Sequence, residues 1–124
     1  MVGKKVLVVD DSSSIRAQAQ FILSKESYSI ETAEDGIEGL EKLEQVGDIQ
    51  LIILDMNMPR MGGLEFLKRK TATKFAPLPV IVITTEDDAT MIEEAFQNGA
   101  KVWIVKPFQA PHLVKTVKKM LGDE

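Results

Sequence analysis

Residues 51–59 read Leu-Ile-Ile-Leu-Asp-Met-Asn-Met-Pro, and this stretch decides the fold class. The four consecutive apolar residues, 51–54, are typical of a strand that is buried on both faces, as in parallel sheets. Asp55 ends the run. Because open α/β sheets bind their ligands at the carboxyl ends of parallel strands, Asp55 is predicted to lie at a binding site.

Three further apolar runs end in the same way. Residues 6–9 are followed by Asp10-Asp11, residues 80–83 by Thr84, and residues 102–105 by Lys106-Pro107. Burial explains the apolar runs but not why each one stops at a polar or ionisable group. Since the carboxyl ends of parallel strands meet at one edge of the sheet, the sequence predicts a single acidic site with a hydroxyl and an ammonium beside it.

Strand and helix patterns alternate five times along the chain, which predicts an α/β fold with a parallel sheet covered on both faces. The second strand, 28–33, alternates apolar and polar residues and is predicted to lie at an edge. The fourth helix is predicted over about 89–98, before Gly99, and the fifth over about 111–121. Right-handed crossovers leave few topologies. A doubly wound five-stranded sheet in the order 2-1-3-4-5 fits, with strands one and three adjacent.

Length and composition exclude several classes of protein. At 124 residues, with 44% hydrophobic and 27% charged residues, the chain is expected to form one globular domain, 1–124. It has no cysteine for a disulfide or a thiolate metal site, and its net charge of −4 argues against direct nucleic-acid binding. No apolar run reaches the ~20 residues of a membrane span, and the first residues do not resemble a signal peptide. We therefore expect a cytoplasmic protein that does not bind membranes.

The carboxylates of Asp10, Asp11 and Asp55 are predicted to be neighbours, and such a cluster repels itself. A divalent cation would remove the repulsion. Oxygen ligands without cysteine or a nearby histidine favour Mg²⁺, or Mn²⁺, over Zn²⁺.

Taken together, these motifs resemble those of response-regulator receiver domains, above all the stand-alone chemotaxis-type response regulator, and the resemblance covers essentially the whole chain. It rests on five elements in receiver-like order and spacing: Asp10-Asp11, Asp55 with Met58-Pro59, Gly62-Gly63, Thr84, and Lys106-Pro107-Phe108. Each element alone is weak, and the combination is specific. The resemblance implies the flavodoxin-like form of the doubly wound sheet, which has the same strand order.

The resemblance also implies two-component signalling through an aspartyl phosphate. Asp55 would accept the phosphoryl group from a sensor histidine kinase, a histidine phosphotransfer protein or a small molecule such as acetyl phosphate. Asp11 and Asp55 would bind Mg²⁺ directly, Asn57 would add its main-chain carbonyl, and Asp10 would act through water. Thr84 and Lys106 would bind phosphoryl oxygens, and the Lys106–Pro107 bond would be cis. The protein would catalyse only its own phosphorylation and dephosphorylation, and would otherwise not be an enzyme.

Receivers signal through a change of surface, which is here expected on helix four, strand five and helix five. Trp103 occupies the position of an aromatic that moves with the switch residue Thr84, although tyrosine or phenylalanine is commoner there and indole is larger. Thr85 is a second departure, since a smaller residue usually follows the threonine. We expect a monomer whose output is a separate partner protein, with the kinase on the helix-one face around Ile15. Residues Lys101 and Lys115, with Lys118 and Lys119, could form a basic patch beside Trp103.

Other interpretations remain open but are disfavoured. A phosphatase of the haloacid-dehalogenase type needs an acid two residues after its nucleophile, and this chain has Asn57 there. A nucleotide- or flavin-binding module needs a glycine-rich loop after strand one, where this chain has Asp-Asp-Ser-Ser-Ser. An interaction protein with a vestigial site would not need the complete residue set. His112, the single histidine, is expected to be exposed and inert.

Overall fold

A computed structural model describes residues 3–123, in which five strands alternate with five helices. The predicted domain limits Met1 and Glu124 lie outside the described residues. The strands are β1 (Lys5–Val9), β2 (Ser29–Ala33), β3 (Ile49–Leu54), β4 (Val80–Thr84) and β5 (Ala100–Val105). The helices are α1 (Ser13–Ser24), α2 (Gly36–Gln45), α3 (Gly63–Thr71), α4 (Ala89–Gln97) and α5 (Ala110–Leu121).

All five strands are parallel, and the sheet order is β2-β1-β3-β4-β5. The predicted fold class and strand order are therefore confirmed. The order reverses between β1 and β3, so that Val9 pairs with Leu54 at the carboxyl ends of these two strands. This pairing places Asp10 beside Asp55.

The alternation of side chains along the strands divides the core into two layers. Val6, Val8, Leu51 and Ile53 face α1 and α5, where they contact Leu23 and Leu113 among others. Leu7, Val9, Ile52 and Leu54 face α2, α3 and α4 and pack against Leu43, Phe66 and Ala95. Because both faces of the central strands are covered, their apolar residues have almost no exposed surface.

Helix ends follow local signals in the sequence. Ser12, Asp35 and Asp88 cap the N-termini of α1, α2 and α4, because each side chain accepts a hydrogen bond from the main-chain N–H three residues later. α4 ends at Gln97, one residue before the predicted Asn98, and the predicted Gly99 follows with φ of 106°. α5 begins at Ala110, one residue before the predicted Pro111. Within residues 3–123, a helix with the length and apolarity of a bilayer span is not found.

Candidate functional site

The predicted site residues meet at the carboxyl edge of the sheet because backbone hydrogen bonds hold the strand ends together. The Asp55 N–H donates to the Val9 carbonyl (2.9 Å), and the Asp10 N–H donates to the Ala33 carbonyl (3.0 Å). On the other side, the Lys106 N–H donates to the Thr84 carbonyl (2.8 Å). β2, β1 and β3 are thus joined at the site, as are β4 and β5.

The three aspartates form one cluster in which each offers a carboxylate oxygen within 4.8 Å of the others. Asp10 and Asp55 are buried, with 2% and 5% of their surface exposed, whereas Asp11 is exposed. Two of the carboxylates are already held in place. Oδ1 of Asp55 accepts the Met56 N–H (2.7 Å), and Oδ1 of Asp10 accepts the Ser12 N–H (2.9 Å).

Lys106 connects two of these carboxylates. Its Nζ donates to Oδ2 of Asp10 at 2.9 Å and to Oδ2 of Asp55 at 3.3 Å, and its side chain is only 14% exposed. Burial alone would lower the pKa of Lys106, but the hydrogen bond to Asp10 and the charges of both aspartates outweigh it and raise the pKa. Lys106 is therefore charged at neutral pH.

The ion pair with Lys106 does not return the pKa of Asp10 to its usual value. Burial raises the pKa of Asp10, and the nearby charge of Asp55 raises it further, whereas the Ser12 N–H and Lys106 lower it only in part. The single Lys106 ammonium therefore does not balance the negative charge of the two buried carboxylates and of the third carboxylate beside them. The site has an excess of negative charge at the point where the aspartates converge.

This donor set fits a hard divalent cation. The converging ligands are carboxylate oxygens, which Mg²⁺ prefers, and the described residues contain no sulfur or imidazole ligand in the cluster. Asp11 is the most available of the three, since neither Lys106 nor a main-chain N–H in residues 3–123 bonds to its carboxylate. Asp10 and Asp55 each keep one oxygen for Lys106.

Thr84 completes the edge of the site. It is fully buried at the end of β4, and its hydroxyl oxygen accepts the Glu86 N–H at 3.3 Å. The side-chain amide of Asn57 donates from Nδ2 to Oε2 of Glu86 at 3.5 Å, so the loop after β3 contacts the loop after β4. The Lys106–Pro107 peptide bond is cis, as predicted.

Comparison with known proteins agrees with this arrangement. The family model described as "Response regulator receiver domain" matches residues 6–118. The chain belongs to the response regulator receiver domain family. It is 38% identical over 120 residues to "Chemotaxis protein CheY1" of Helicobacter pylori, covering 95% of this chain and 97% of that protein. It is therefore a CheY-like receiver of two-component signalling.

Solved structures of receivers superpose closely on this one. The chemotaxis response regulator CheY4 of Vibrio cholerae is 39% identical and superposes with a TM-score of 0.87, over 95% of this chain and 98% of that chain. The CheY of a CheX–CheY–BeF₃–Mg²⁺ complex from Borrelia burgdorferi is 28% identical, with a TM-score of 0.87 over 95% of this chain and 89% of that chain.

Two arginines near this receiver site were not predicted to contribute to it. Arg16 in α1 donates from Nη1 to the Asp10 carbonyl (2.6 Å), and Nη2 lies 3.7 Å from Oε1 of Glu34. Arg60, in the loop after β3, donates to Asp35 (2.7 Å). Arg16 lies four residues after the Ser12 cap, a spacing that could have indicated it, whereas the distance in sequence between Asp35 and Arg60 gave no such signal.

The remaining predicted residues of the receiver lie away from the acidic cluster. The Trp103 side chain packs against the core layer under α4, and its indole N–H is buried without an acceptor among the described residues. His112 is exposed, and it borders a groove between β5 and α5 with Lys101, Lys115 and Lys119. Lys118 does not line that groove, and its ammonium pairs with Glu26, which follows α1 (2.7 Å).

Proposed function

We propose that this receiver accepts a phosphoryl group on Asp55 from a phosphohistidine of a sensor kinase or phosphotransfer protein, or from acetyl phosphate. With a phosphohistidine donor, a carboxylate oxygen of Asp55 forms the new O–P bond while the N–P bond breaks. The imidazole keeps the bonding electron pair and takes up a proton. One observation carries the proposal: Asp55 is buried in a cluster of three carboxylates, and its Oδ2 lies 3.3 Å from the Lys106 ammonium.

The residues around Asp55 suit a group that carries negative charge on three oxygens. Lys106 donates to a phosphoryl oxygen after release from one of its two present carboxylate partners, and the Thr84 hydroxyl donates to another. Asp11 and Asp55, with the Asn57 carbonyl, would hold Mg²⁺ directly, and Asp10 would act on it through water. When bound, Mg²⁺ offsets the charge of the carboxylates and of the incoming phosphoryl group. Mn²⁺ has the same ligand preference.

The signal leaves through the surface formed by α4, β5 and α5, which changes when Thr84 and Lys106 turn toward the phosphoryl group. Trp103 lies between that surface and the core. The output is a separate protein in the cytoplasm, and the helix-one face around Ile15 contacts the kinase. The solved complex of a similar CheY with CheX supports a partner on a separate chain. The receiver acts as a monomer and catalyses only its own phosphorylation and dephosphorylation.

Intact-mass measurement tests the phosphoacceptor. With Mg²⁺ and acetyl phosphate, the mass of the wild-type protein should rise by one phosphoryl group, and the label should be lost in base. Asp55→Asn should abolish the label because an amide is a poor nucleophile. Asp87→Asn, a change at an exposed acid outside the cluster, should keep it. A stable label in Asp55→Asn would overturn the assignment.

A further inference from the structure

The loop between β3 and α3, residues 55–62, carries Asp55 and the carbonyl of Asn57. It turns back on itself, because the Met61 N–H donates to the Pro59 carbonyl (2.6 Å) and the Gly63 N–H donates to the Met56 carbonyl (3.0 Å). At its tip, Arg60 has φ of 63°, in the left-handed region. Residues other than glycine, asparagine and aspartate are disfavoured in this region by about 1–2 kcal/mol, so other contacts must hold this conformation.

The contact that holds Arg60 is an ion pair with Asp35. Nε of Arg60 donates to Oδ2 of Asp35 at 2.7 Å, and Asp35 has only 3% of its surface exposed. Oδ1 of Asp35 accepts the Glu38 N–H (2.9 Å) and caps α2. Burial would raise the pKa of Asp35, but the bonds from Glu38 and Arg60 outweigh it and lower the pKa, so that Asp35 is charged at neutral pH.

The main chain makes a second link at the same place. The Gly36 N–H donates to the Met61 carbonyl at 3.0 Å. A Cβ at Gly36 would lie 2.7 Å from Cγ of Met61 and 2.9 Å from its carbonyl oxygen, so α2 and the loop are in direct contact. The first turn of α2 therefore packs against the loop without space for a side chain at Gly36.

These contacts complete a closed path around the acidic site. β2 is bonded to β1 through Ala33 and Asp10, and β1 is bonded to β3 through Val9 and Asp55. From β3 the loop leads to Arg60, whose partner Asp35 follows β2 by two residues. The loop is thus fixed at both ends, by the sheet at Asp55 and by α2 at Arg60.

We propose that Asp35 and Arg60 are positioning residues, whose ion pair fixes the loop so that the Asn57 carbonyl and the Asp55 carboxylate face one cation. This inference rests on the proposed function of the cluster as a Mg²⁺ site. Neither residue belongs to the carboxylate cluster, and both act through the loop. Outer partners of this kind typically change metal affinity about 10–100-fold when they are removed.

The sign of the effect at Arg60 separates positioning from simple electrostatics. Arg60 is a cation in the loop that carries Asp55, so deleting its charge should strengthen Mg²⁺ binding if charge alone mattered. If Arg60 positions the loop, its deletion should weaken binding instead. The two explanations predict opposite changes.

Calorimetric titration with Mg²⁺ decides between them. Arg60→Gln and Arg60→Gly should each weaken Mg²⁺ binding about tenfold. Arg60→Gly also removes the strain of the left-handed backbone conformation, so the free energy of unfolding should change little while the Mg²⁺ affinity falls. A residue with a merely structural role would not lower the affinity without also lowering the stability. Arg69→Gln, the matched control, removes an exposed Arg69–Glu65 pair within α3 and should leave the affinity unchanged.

A metal-free readout accompanies the titration. Amide hydrogen exchange at Gly36, whose N–H is bonded to the Met61 carbonyl, should accelerate in Arg60→Gln and stay unchanged in Arg69→Gln. Equal or stronger Mg²⁺ binding in both Arg60 variants would overturn the positioning role while leaving the metal site intact. Failure of the wild-type protein to bind Mg²⁺ would overturn the proposed function and this inference together.

Discussion

Asp11 is the one aspartate of the cluster that is exposed and not bonded to Lys106. Its carboxylate is therefore free to bind a cation without breaking an existing contact. Asp11→Ala should weaken Mg²⁺ binding at least tenfold, because the proposed site loses a direct ligand. Calorimetry measures the affinity, and Asp123→Ala, at an acid remote from the cluster, should leave it unchanged. Unaltered binding in Asp11→Ala would refute the site.

Lys70 is a second residue whose environment makes a testable prediction. Its side chain in α3 has no exposed surface, and its Nζ donates to the Ala76 carbonyl at 2.9 Å. Burial, and then the charge of Lys101, lower the pKa of Lys70 from its usual 10.5. The folded protein therefore binds the proton of Lys70 less tightly than the unfolded chain does.

Replacing Lys70 by methionine, which has a similar length, should raise the free energy of unfolding at pH 7 by about 1–3 kcal/mol. The buried charge destabilises the wild-type protein most at a pH below the pKa of Lys70 in the folded state. As the pH rises from that pKa toward 10.5, Lys70 loses its proton, the stability of the wild-type protein rises, and the difference from the variant disappears. Urea denaturation of both proteins from pH 7 to 10 should show the difference shrinking. The exposed Lys115→Met should show no such trend, and a difference independent of pH would contradict the explanation.

At the scale of the elements, the connection from α4 to β5 depends on Gly99. Its φ is 106°, and a Cβ there would meet nothing closer than Nζ of Lys70 at 3.9 Å. There is therefore space for a side chain at position 99, and only the positive φ disfavours a residue other than glycine there. Gly99→Ala should lower the free energy of unfolding by about 1–3 kcal/mol.

Gly47 provides the matched control for this element. It lies in the turn between α2 and β3, a Cβ added there would meet no atom of another residue within 4 Å, and its φ is not positive. Gly47→Ala should leave stability unchanged or raise it by up to about 1 kcal/mol, since it restricts only the unfolded chain. Equal losses in the two variants, measured by urea denaturation, would show that the positive φ of Gly99 is not the cause.

The elements themselves were largely predictable because burial on both faces leaves a strong signal. Runs such as 51–54 and 80–83 have no surface position and so contain only apolar residues. The strand starts were less clear: β3 begins at Ile49 and β5 at Ala100, because the exposed Gln50 and Lys101 interrupt the apolar pattern.

The contacts between distant elements were not predictable in the same way. The acidic cluster could be inferred because parallel strands end at one edge. The pair formed by Asp35 and Arg60 depends on a left-handed turn and on the packing of α2 against the loop, neither of which leaves a periodic pattern. The burial of Lys70 is equally hidden, since a lysine on a helix is normally solvated.

At the scale of the whole molecule, the site and the proposed output surface are linked through β4 and β5. Thr84 pairs with Val105 and Val82 with Trp103, so the proposed movement at the end of β4 would act on the neighbouring strand. The Trp103 ring already packs against the core, and its N–H has no acceptor in the described residues. A rearrangement that gives this donor a partner would favour the new state by about 1–3 kcal/mol.

Beryllofluoride with Mg²⁺, as a phosphoryl analogue, should therefore shift two kinds of NMR signal. Amide resonances of α4, β5 and α5, including Lys101 and Lys115, should move, because the analogue attracts Thr84 and Lys106. The analogue shifts the equilibrium between the inactive and the active arrangement only by its differential affinity for the two. The single indole N–H resonance, from Trp103, should move with them as its hydrogen bonding changes. Asp55→Asn, which removes the proposed acceptor carboxylate, should show neither change. Shifts confined to the loops after β1 and β3, with α4 and β5 unmoved, would preserve Asp55 as the acceptor and eliminate this route for the signal.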